Sequence, residues 1–370
     1  MRTYFDYAAG APLRPTAAAA MVAVWADPGN PSSAHTAGRA ARRAVEDSRE
    51  ALAARLGARP DEVVFCSGGT EANNIALAGS ATPERPRVAI SAVEHASLAH
   101  AADVLRNVDV LGVDAAGRVT QAALADGVGA ATALVSVQWV NSETGVVQPV
   151  DAVVARAQEV GALAHSDAAQ AVGHAHVDFG ESGLDLMTVV AHKVGGPAGI
   201  GALVVRRGIS VRPYGFGGGQ EARLRSGTVP VALCVGFAAA VGEAVAGVDA
   251  EAARLRGLHD RLSAAVAAIP GASVNCDAPC SPAIVNATFD GLRADDLALM
   301  LDRAGFDCST GSACEAGVHR PSPVLLAMGR PVAAAAGSVR FSFGPRTARS
   351  DVDALVAELS WAVASARAAW

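Results

Sequence analysis

Val63-Val64-Phe65-Cys66-Ser67-Gly68-Gly69-Thr70-Glu71-Ala72-Asn73-Asn74 is the stretch from which the fold can be read. Val63-Val64-Phe65 is a short apolar run of branched and aromatic side chains, the pattern of a buried strand. A glycine pair then turns the chain into a helix. Glycine lets the backbone approach an anion, and a helix N-terminus supplies unpaired N–H groups and a favourable dipole. Thr70 adds a hydroxyl. The stretch suits a phosphate cradle, and an ordinary strand–turn–helix junction accounts for it equally well.

Working outward, Arg87-Val88-Ala89-Ile90, Ala133-Leu134-Val135-Ser136-Val137, Ala162-Leu163-Ala164, Leu186-Met187-Thr188-Val189-Val190 and Gly201-Ala202-Leu203-Val204-Val205 repeat the strand pattern. Helical stretches separate several of them. Residues 32–56 are predicted as one long helix, with Val45, Leu52 and Leu56 on one face and Gly57 as its stop. This alternation predicts an α/β fold with a mostly parallel mixed sheet between helices, in a large domain of residues 16–248. Ligands of such sheets bind beyond the carboxyl ends of the strands. From Asp249 the pattern changes to a helix, a strand over 283–289, another helix through Leu301, a loop, and the strand Val339-Arg340-Phe341-Ser342-Phe343. Ser350 with Asp353 predicts a capping box opening a last helix that carries Val352, Leu355, Val356 and Leu359 on one face. Residues 249–370, joined by 1–15, are expected to form a small α+β domain.

Of the 370 residues, 51% are hydrophobic but only 4% aromatic, so the core is built from small side chains. The net charge of −6 and the lack of a basic run speak against nucleic acid as a direct ligand. The most apolar run, residues 231–242, is too short to span a bilayer, so no membrane partner is expected. The N-terminus lacks the apolar stretch of a signal peptide. The expectation is a reducing cytoplasm in which the six cysteines form no disulfides. Cys276 and Cys280 have no further ligands nearby, so no metal is expected.

Three more segments carry chemistry. Ser166-Asp167-Ala168-Ala169-Gln170 follows a strand, where an aspartate is most often a helix cap. Ala191-His192-Lys193-Val194-Gly195-Gly196-Pro197 places a lysine between an apolar strand and a glycine turn. Partial desolvation there would lower its pKa and make it nucleophilic; a surface lysine is the plain alternative. Cys308-Ser309-Thr310-Gly311-Ser312-Ala313-Cys314-Glu315-Ala316-Gly317 offers little apolar surface to bury and reads as a loop presenting a thiol, reactive or merely tolerated. Cradle, aspartate, lysine and loop thiol together match the needs of pyridoxal 5′-phosphate (PLP). The lysine forms a Schiff base, the aspartate keeps the pyridine nitrogen protonated, and the glycine turn holds the phosphate.

The chain resembles the cysteine desulfurases of the NifS/IscS group, in the class V aminotransferase branch of fold-type I PLP enzymes. The likeness runs almost end to end. It includes Asp6-Tyr7-Ala8-Ala9, Gly29-Asn30-Pro31-Ser32-Ser33-Ala34-His35, Gly68-Gly69-Thr70-Glu71, Glu94-His95, Val140-Asn141-Ser142-Glu143-Thr144-Gly145, His165-Ser166-Asp167-Ala168-Ala169-Gln170, His192-Lys193, Arg225-Ser226-Gly227-Thr228, Gly311-Ser312-Ala313-Cys314 and Val339-Arg340-Phe341-Ser342. The alanine-rich composition and the run around Cys314 are similar to actinobacterial members.

The resemblance implies that L-cysteine is converted to L-alanine, with the sulfur passed as a persulfide on Cys314 to an acceptor protein. Candidate acceptors serve Fe–S cluster assembly, tRNA thiolation or a biosynthetic carrier. It implies that Lys193 bears the cofactor and moves the Cα proton, and that His95 stacks on the ring and helps move protons. Asp167 would pair with the pyridinium and Gln170 with the ring hydroxyl. Gly69, Thr70 and His192 would hold the phosphate, with Thr228 reaching across from a second subunit of a homodimer. Asn141 and Arg340 would bind the substrate carboxylate, a role that suits a planar guanidinium; a structural ion pair is the alternative for Arg340. Asn30 and His35 would line the entrance or order the interface, or be structural.

Some positions depart from the pattern. Val190 stands where a phosphate-binding serine is common, leaving compensation open between Thr188, backbone groups and weaker affinity. Gln220 replaces a histidine, and Gly10-Ala11 a threonine pair. Glu315 follows Cys314 and would raise its thiol pKa. Cys308 is read as a core cysteine rather than a resolving thiol. Rival readings are a selenocysteine lyase or other PLP β-eliminase, and a catalytically silent partner in a sulfur-transfer complex.

Overall fold

The computed structural model describes residues 2–27, 29–105, 107–213, 215–277, 279–310 and 321–368. Its strands are β1 Thr3–Tyr4, β2 Val63–Cys66, β3 Arg87–Ser91, β4 Val108–Leu111, β5 Thr132–Ser136, β6 Leu163–Asp167, β7 Leu186–Val190, β8 Gly201–Val205, β9 Ala272–Val274, β10 Ile284–Phe289, β11 Phe306–Asp307 and β12 Ser338–Ser342. Seven of them form the main sheet in the order β2-β8-β7-β6-β5-β3-β4. The pairs among β3 to β7 are parallel, as helical crossovers require, and β8 runs antiparallel to both β7 and β2. Strand β4 was not legible in the sequence. It is a half-exposed edge strand whose Asp109 pairs with Arg87 on β3, so it lacks a continuous apolar run.

Side chains pack against both faces of this sheet. One layer includes Leu52, Phe65, Met187 and Phe237; the other includes Ile75, Leu77, Leu98 and Leu203. The predicted long helix spans Thr36–Arg55 and starts four residues later than expected, because His35 rather than Ser32 is its cap: His35 Nδ1 accepts from Gly38 N at 3.2 Å.

The open edge of β2 is covered by an ion pair. Arg49 donates to Val63 O at 2.6 Å, and Glu221 accepts from Phe65 N at 2.7 Å. The two side chains also meet as a fork, at 2.8 and 2.7 Å, with both largely buried. Arg49 and Glu221 thus stand in for the missing neighbour strand. Glu221, Ala222 and Arg223 hold φ values of 47°, 54° and 67°. A left-handed conformation costs a non-glycine residue about 1–2 kcal/mol, and the fork holds this segment in place against that cost.

A second core joins Phe5 and Ala8 to Leu255, Val285, Phe289, Leu301, Phe341, Phe343 and Leu355. It covers the antiparallel sheet β12-β10-β9, beside which β1 pairs with β11. The helices Val231–Ala246 and Val248–Ala267 connect the two cores across a 70° bend. Among the described residues no single helix is long and apolar enough to cross a membrane.

Two expectations are corrected here. The last helix, Arg349–Ala368, is capped at its start by Asp351, whose carboxylate accepts from Ala348 N at 2.7 Å; Asp353 instead pairs with Arg261. The chain therefore enters the helix earlier than the Ser350/Asp353 box implied. Cys276 and Cys280 are joined in a disulfide, against the expectation of reduced cysteines: the connection from β9 to β10 doubles back and brings their Cα atoms to 6.5 Å. Cys308 packs against the second core, and burial pushes its thiol up to about 12, which suits the core reading.

Candidate active site

A cavity of about 580 Å³ opens past the carboxyl ends of β5, β6 and β7. The chain builds it from separate turns. The helix Gly69–Ser80 begins at the predicted cradle and points its N-terminus there, with Gly69 and Thr70 in the wall. A Cβ at Gly69 would sit 2.8 Å from Val190 Cγ1, so only glycine keeps this approach open. Val190 itself lines the cavity. Thr188 does not restore the missing hydroxyl: its Oγ1 lies 3.1 Å from His165 Nε2 inside the fold, and its methyl faces Gly69. The helix-terminal amides remain as the anion donors on this side.

Asp167 ends β6 and lines the cavity. One carboxylate oxygen accepts from Ala169 N at 2.9 Å and the other from Asn73 Nδ2 at 2.7 Å; the chain after Asp167 turns without forming a helix, so the aspartate braces a turn and is not the helix cap expected of it. Asn73 also donates to Ser97 Oγ at 2.8 Å, and Ser97 Oγ lies 2.9 Å from His95 Nδ1. His95 caps the helix Ala96–Val104, its Nδ1 accepting from Ser97 N at 3.1 Å. With Nδ1 an acceptor, the proton of neutral His95 sits on Nε2. Burial pushes the His95 pKa down, which keeps the ring neutral near pH 7. Asp167, Asn73, Ser97 and His95 thus form one connected network.

Lys193 reaches Ala8 O, which also accepts from Gln170 Nε2 at 2.8 Å. His192 lies alongside, its pKa lowered to about 4 by burial and by the charge of Lys193. Arg340 on β12 donates to Asp6 at 2.7 Å and to Ser142 O at 2.8 Å, so it is an ion pair and a cavity residue at once.

Other predicted residues lie elsewhere. Asn141 is buried but is not in the cavity lining. Its amide oxygen accepts from Glu143 N and Thr144 N, and its Nδ2 donates to Val93 O, so it ties a turn together. Asn30 and His35 organise the approach to the long helix and are not in the lining. Thr228 is exposed and outside this chain's cavity. Gln220 accepts from Gly227 N at 2.9 Å. Cys314 and Glu315 lie outside the described residues. The flanks of their segment are fixed: Ser309 exchanges backbone hydrogen bonds of 3.1 and 2.7 Å with Arg340, and Ser322 donates to Glu143 at 2.5 Å.

Asn73, Glu94 and Glu143 had no individual role in the sequence reading. Asn73 sits one helical turn beyond Gly69, a spacing that places it on the same face. Glu94 is fully buried. Its Oε1 accepts from Ser91 Oγ at 2.6 Å and Gln138 N at 2.9 Å, while its Oε2 has no partner among the described residues. Burial raises its pKa to about 8, so it is a neutral acid near pH 7. Asn73 Oδ1 and Arg340 Nε are likewise buried without partners among the described residues. Unsatisfied polar atoms on three cavity residues, a glycine-lined helix N-terminus, a carboxylate and a lysine are the donor set that a phosphorylated pyridine aldehyde requires.

Fold and cavity together define a PLP-dependent enzyme of fold type I. Residues 3–355 match the family model described as aminotransferase class-V. The chain is 45% identical over 382 residues to an IscS-like cysteine desulfurase of Mycobacterium tuberculosis, covering 99% of this chain and 97% of that one. A solved NifS-like protein superposes with a TM-score of 0.92 at 30% identity, over 99% of this chain and 100% of the other. A structure described as SspA in complex with cysteine gives 0.81 at 31% identity, over 94% and 100%. The chain belongs to the class-V aminotransferase family, in its cysteine desulfurase branch.

Proposed function

We propose that this enzyme takes sulfur from L-cysteine, releases L-alanine and holds the sulfur as a persulfide on Cys314. The observation that carries the reading is the convergence of Gly69, Thr70, His95, Asp167, Gln170, His192 and Lys193 on one cavity, with both flanks of the Cys314 segment anchored to Arg340 and Glu143 in its wall. The relative solved with cysteine supports the choice of substrate.

When bound, PLP withdraws electrons from the substrate Cα. Gly69, Thr70, His192 and the helix N-terminus hold its phosphate. Lys193 would hold the cofactor and take the Cα proton. Asp167 favours the protonated ring nitrogen, and Asn73 fixes that carboxylate. Neutral His95 covers the ring and passes protons through Nε2. Arg340 offers the remaining donors of its fork to the substrate carboxylate, and Asn141 supports the turn beside it. The Cys314 thiolate would attack the substrate sulfur; the C–S bond breaks with its electron pair left on Cβ, Cβ takes up the proton that the Cys314 thiol gave up, Cα regains the proton held by Lys193, and alanine leaves with the sulfane sulfur kept on Cys314.

Residues 16–248 serve as the PLP-binding domain, and 1–15 with 249–370 as the domain carrying Cys314; the separate second core supports this division. Exposed Thr228, outside this chain's own cavity, suits a contribution to a partner's site in a homodimer. The sulfur then passes to an acceptor protein in the cytoplasm.

The test is peptide mass spectrometry after incubation with L-cysteine. Cys314 is expected to gain one sulfur atom, and Cys314→Ser to gain none. Sulfide release that survives Cys314→Ala would support the β-eliminase rival. Failure of wild-type protein to develop absorbance at roughly 420 nm with added PLP would support a silent partner.

A further inference from the structure

The Cys276–Cys280 pair takes no part in the chemistry above, yet it lies against the turn that helps build the cavity. Cys280 forms a β-bridge with Val146. Pro279 O accepts from Val147 N at 2.9 Å, and Ser281 N donates to Gly145 O at 2.8 Å. These contacts seat the cysteine loop on the far side of the 141–147 turn. The near side of that turn supplies Ser142 and Glu143 to the cavity wall, and Ser142 O accepts from Arg340. Asn286, on the strand after the loop, donates to Glu143 O at 3.1 Å.

We propose that Cys276 and Cys280 are a reversible thiol–disulfide site, exchanged by low-molecular-weight thiols and disulfides, whose bridged form braces the 141–147 turn. The Cα separation of 6.5 Å falls within the range that a disulfide spans. Both cysteines are half-exposed, and the neighbouring Asp277 and Pro279 are exposed, so a small reagent can reach the pair. Cys66 and Cys234 are buried elsewhere and do not compete for it. A bridge across so few residues constrains the unfolded chain little, so its effect is local.

Exchange proceeds in two displacements. One cysteine thiolate attacks a disulfide RSSR, forming a mixed disulfide and releasing one RS⁻. The second cysteine thiolate then attacks the protein sulfur of that mixed disulfide and releases the other. RSSR is reduced to two RSH, which take up the two protons lost by the protein thiols, and the pair is oxidised. Two equivalents of RSH reverse the change.

The experiment equilibrates the PLP-loaded protein in buffers graded from reduced to oxidised glutathione. Differential alkylation with peptide mass spectrometry reads the pair, and hydrogen exchange reads the amides of Gly145, Val147 and Ser281. The pair is expected to pass from doubly alkylated to bridged, two hydrogens lighter, and those amides to slow at least threefold in the bridged form. Cys276→Ser and Cys280→Ser are each expected to exchange like the reduced protein in every buffer. A pair that stays alkylatable in oxidised glutathione, or amides that exchange equally in both wild-type states, would overturn the proposal. The expected effect on catalysis, at least a twofold rise in KM for L-cysteine on reduction, rests on the desulfurase reading. Loss of that reading would appear as no turnover in either state, while alkylation and exchange would still decide the disulfide.

Discussion

Val190 presents a methyl to the helix N-terminus where the resemblance read from the sequence led to the expectation of a hydroxyl, and Thr188 is already engaged with His165. Val190→Ser should therefore add one donor to the phosphate cradle. A gain of about 1 kcal/mol, roughly fivefold in PLP affinity, is expected, and titration of the apoprotein followed by absorbance measures it. An unchanged Kd would mean that the backbone amides already saturate the phosphate. Asn73→Ala should act in the opposite direction. It removes the donor to Asp167 and cuts the link to His95, so PLP should bind about tenfold more weakly, the cost of losing a hydrogen bond to a charged group. Val190 was legible in the sequence because it interrupts a motif. Asn73 was visible as a letter but not as a role, because its partner Asp167 lies 94 positions away and only the folded chain brings them together.

The elements that position the site were mostly legible, because β8 and, apart from Thr188, β7 are apolar runs buried on both faces and a pattern reading recovers such runs. The short edge strands and helix starts were less so, since a single side-chain hydrogen bond decides them, as at His35 and Asp351. The clamp on the edge of β2 was not legible at all, because Arg49 and Glu221 are 172 positions apart. Arg49→Ala should leave Glu221 buried without its partner and destabilise the protein by about 3 kcal/mol. Chemical denaturation measures this, and a loss below about 1 kcal/mol would show that water replaces the guanidinium. The left-handed 221–223 segment should loosen in the same variant, readable as faster amide exchange there.

For the whole molecule, buried titratable groups set opposing limits on stability. His165 and His192 both have pKa values lowered to about 4, chiefly by burial. The unfolded chain takes up these protons first, so the stability they secure is complete above about pH 6.5 and drains away as pH falls towards 4. Glu94 acts with the opposite sign. Its folded pKa is raised to about 8 by burial, so its contribution is full below about pH 4.5 and is lost as pH rises to 8. The melting temperature should fall on both sides of a maximum at weakly acidic to neutral pH. Glu94→Gln, which cannot ionise, should flatten the alkaline side alone, as a pH series of thermal melts would show. The N-terminal segment has a further consequence. Ala8 O holds Lys193 and Gln170, and Asp6 holds Arg340, 334 positions later. Main-chain bonds from the same segment to β11 and β12 tie Thr3, Tyr4 and Phe5 to Phe306, Asp307 and Ser342. On the ribosome the large sheet can assemble early, but the catalytic cleft stays open on one side until the C-terminal strands emerge. A nascent chain stalled before residue 338 therefore has its lysine in place and no finished wall around it.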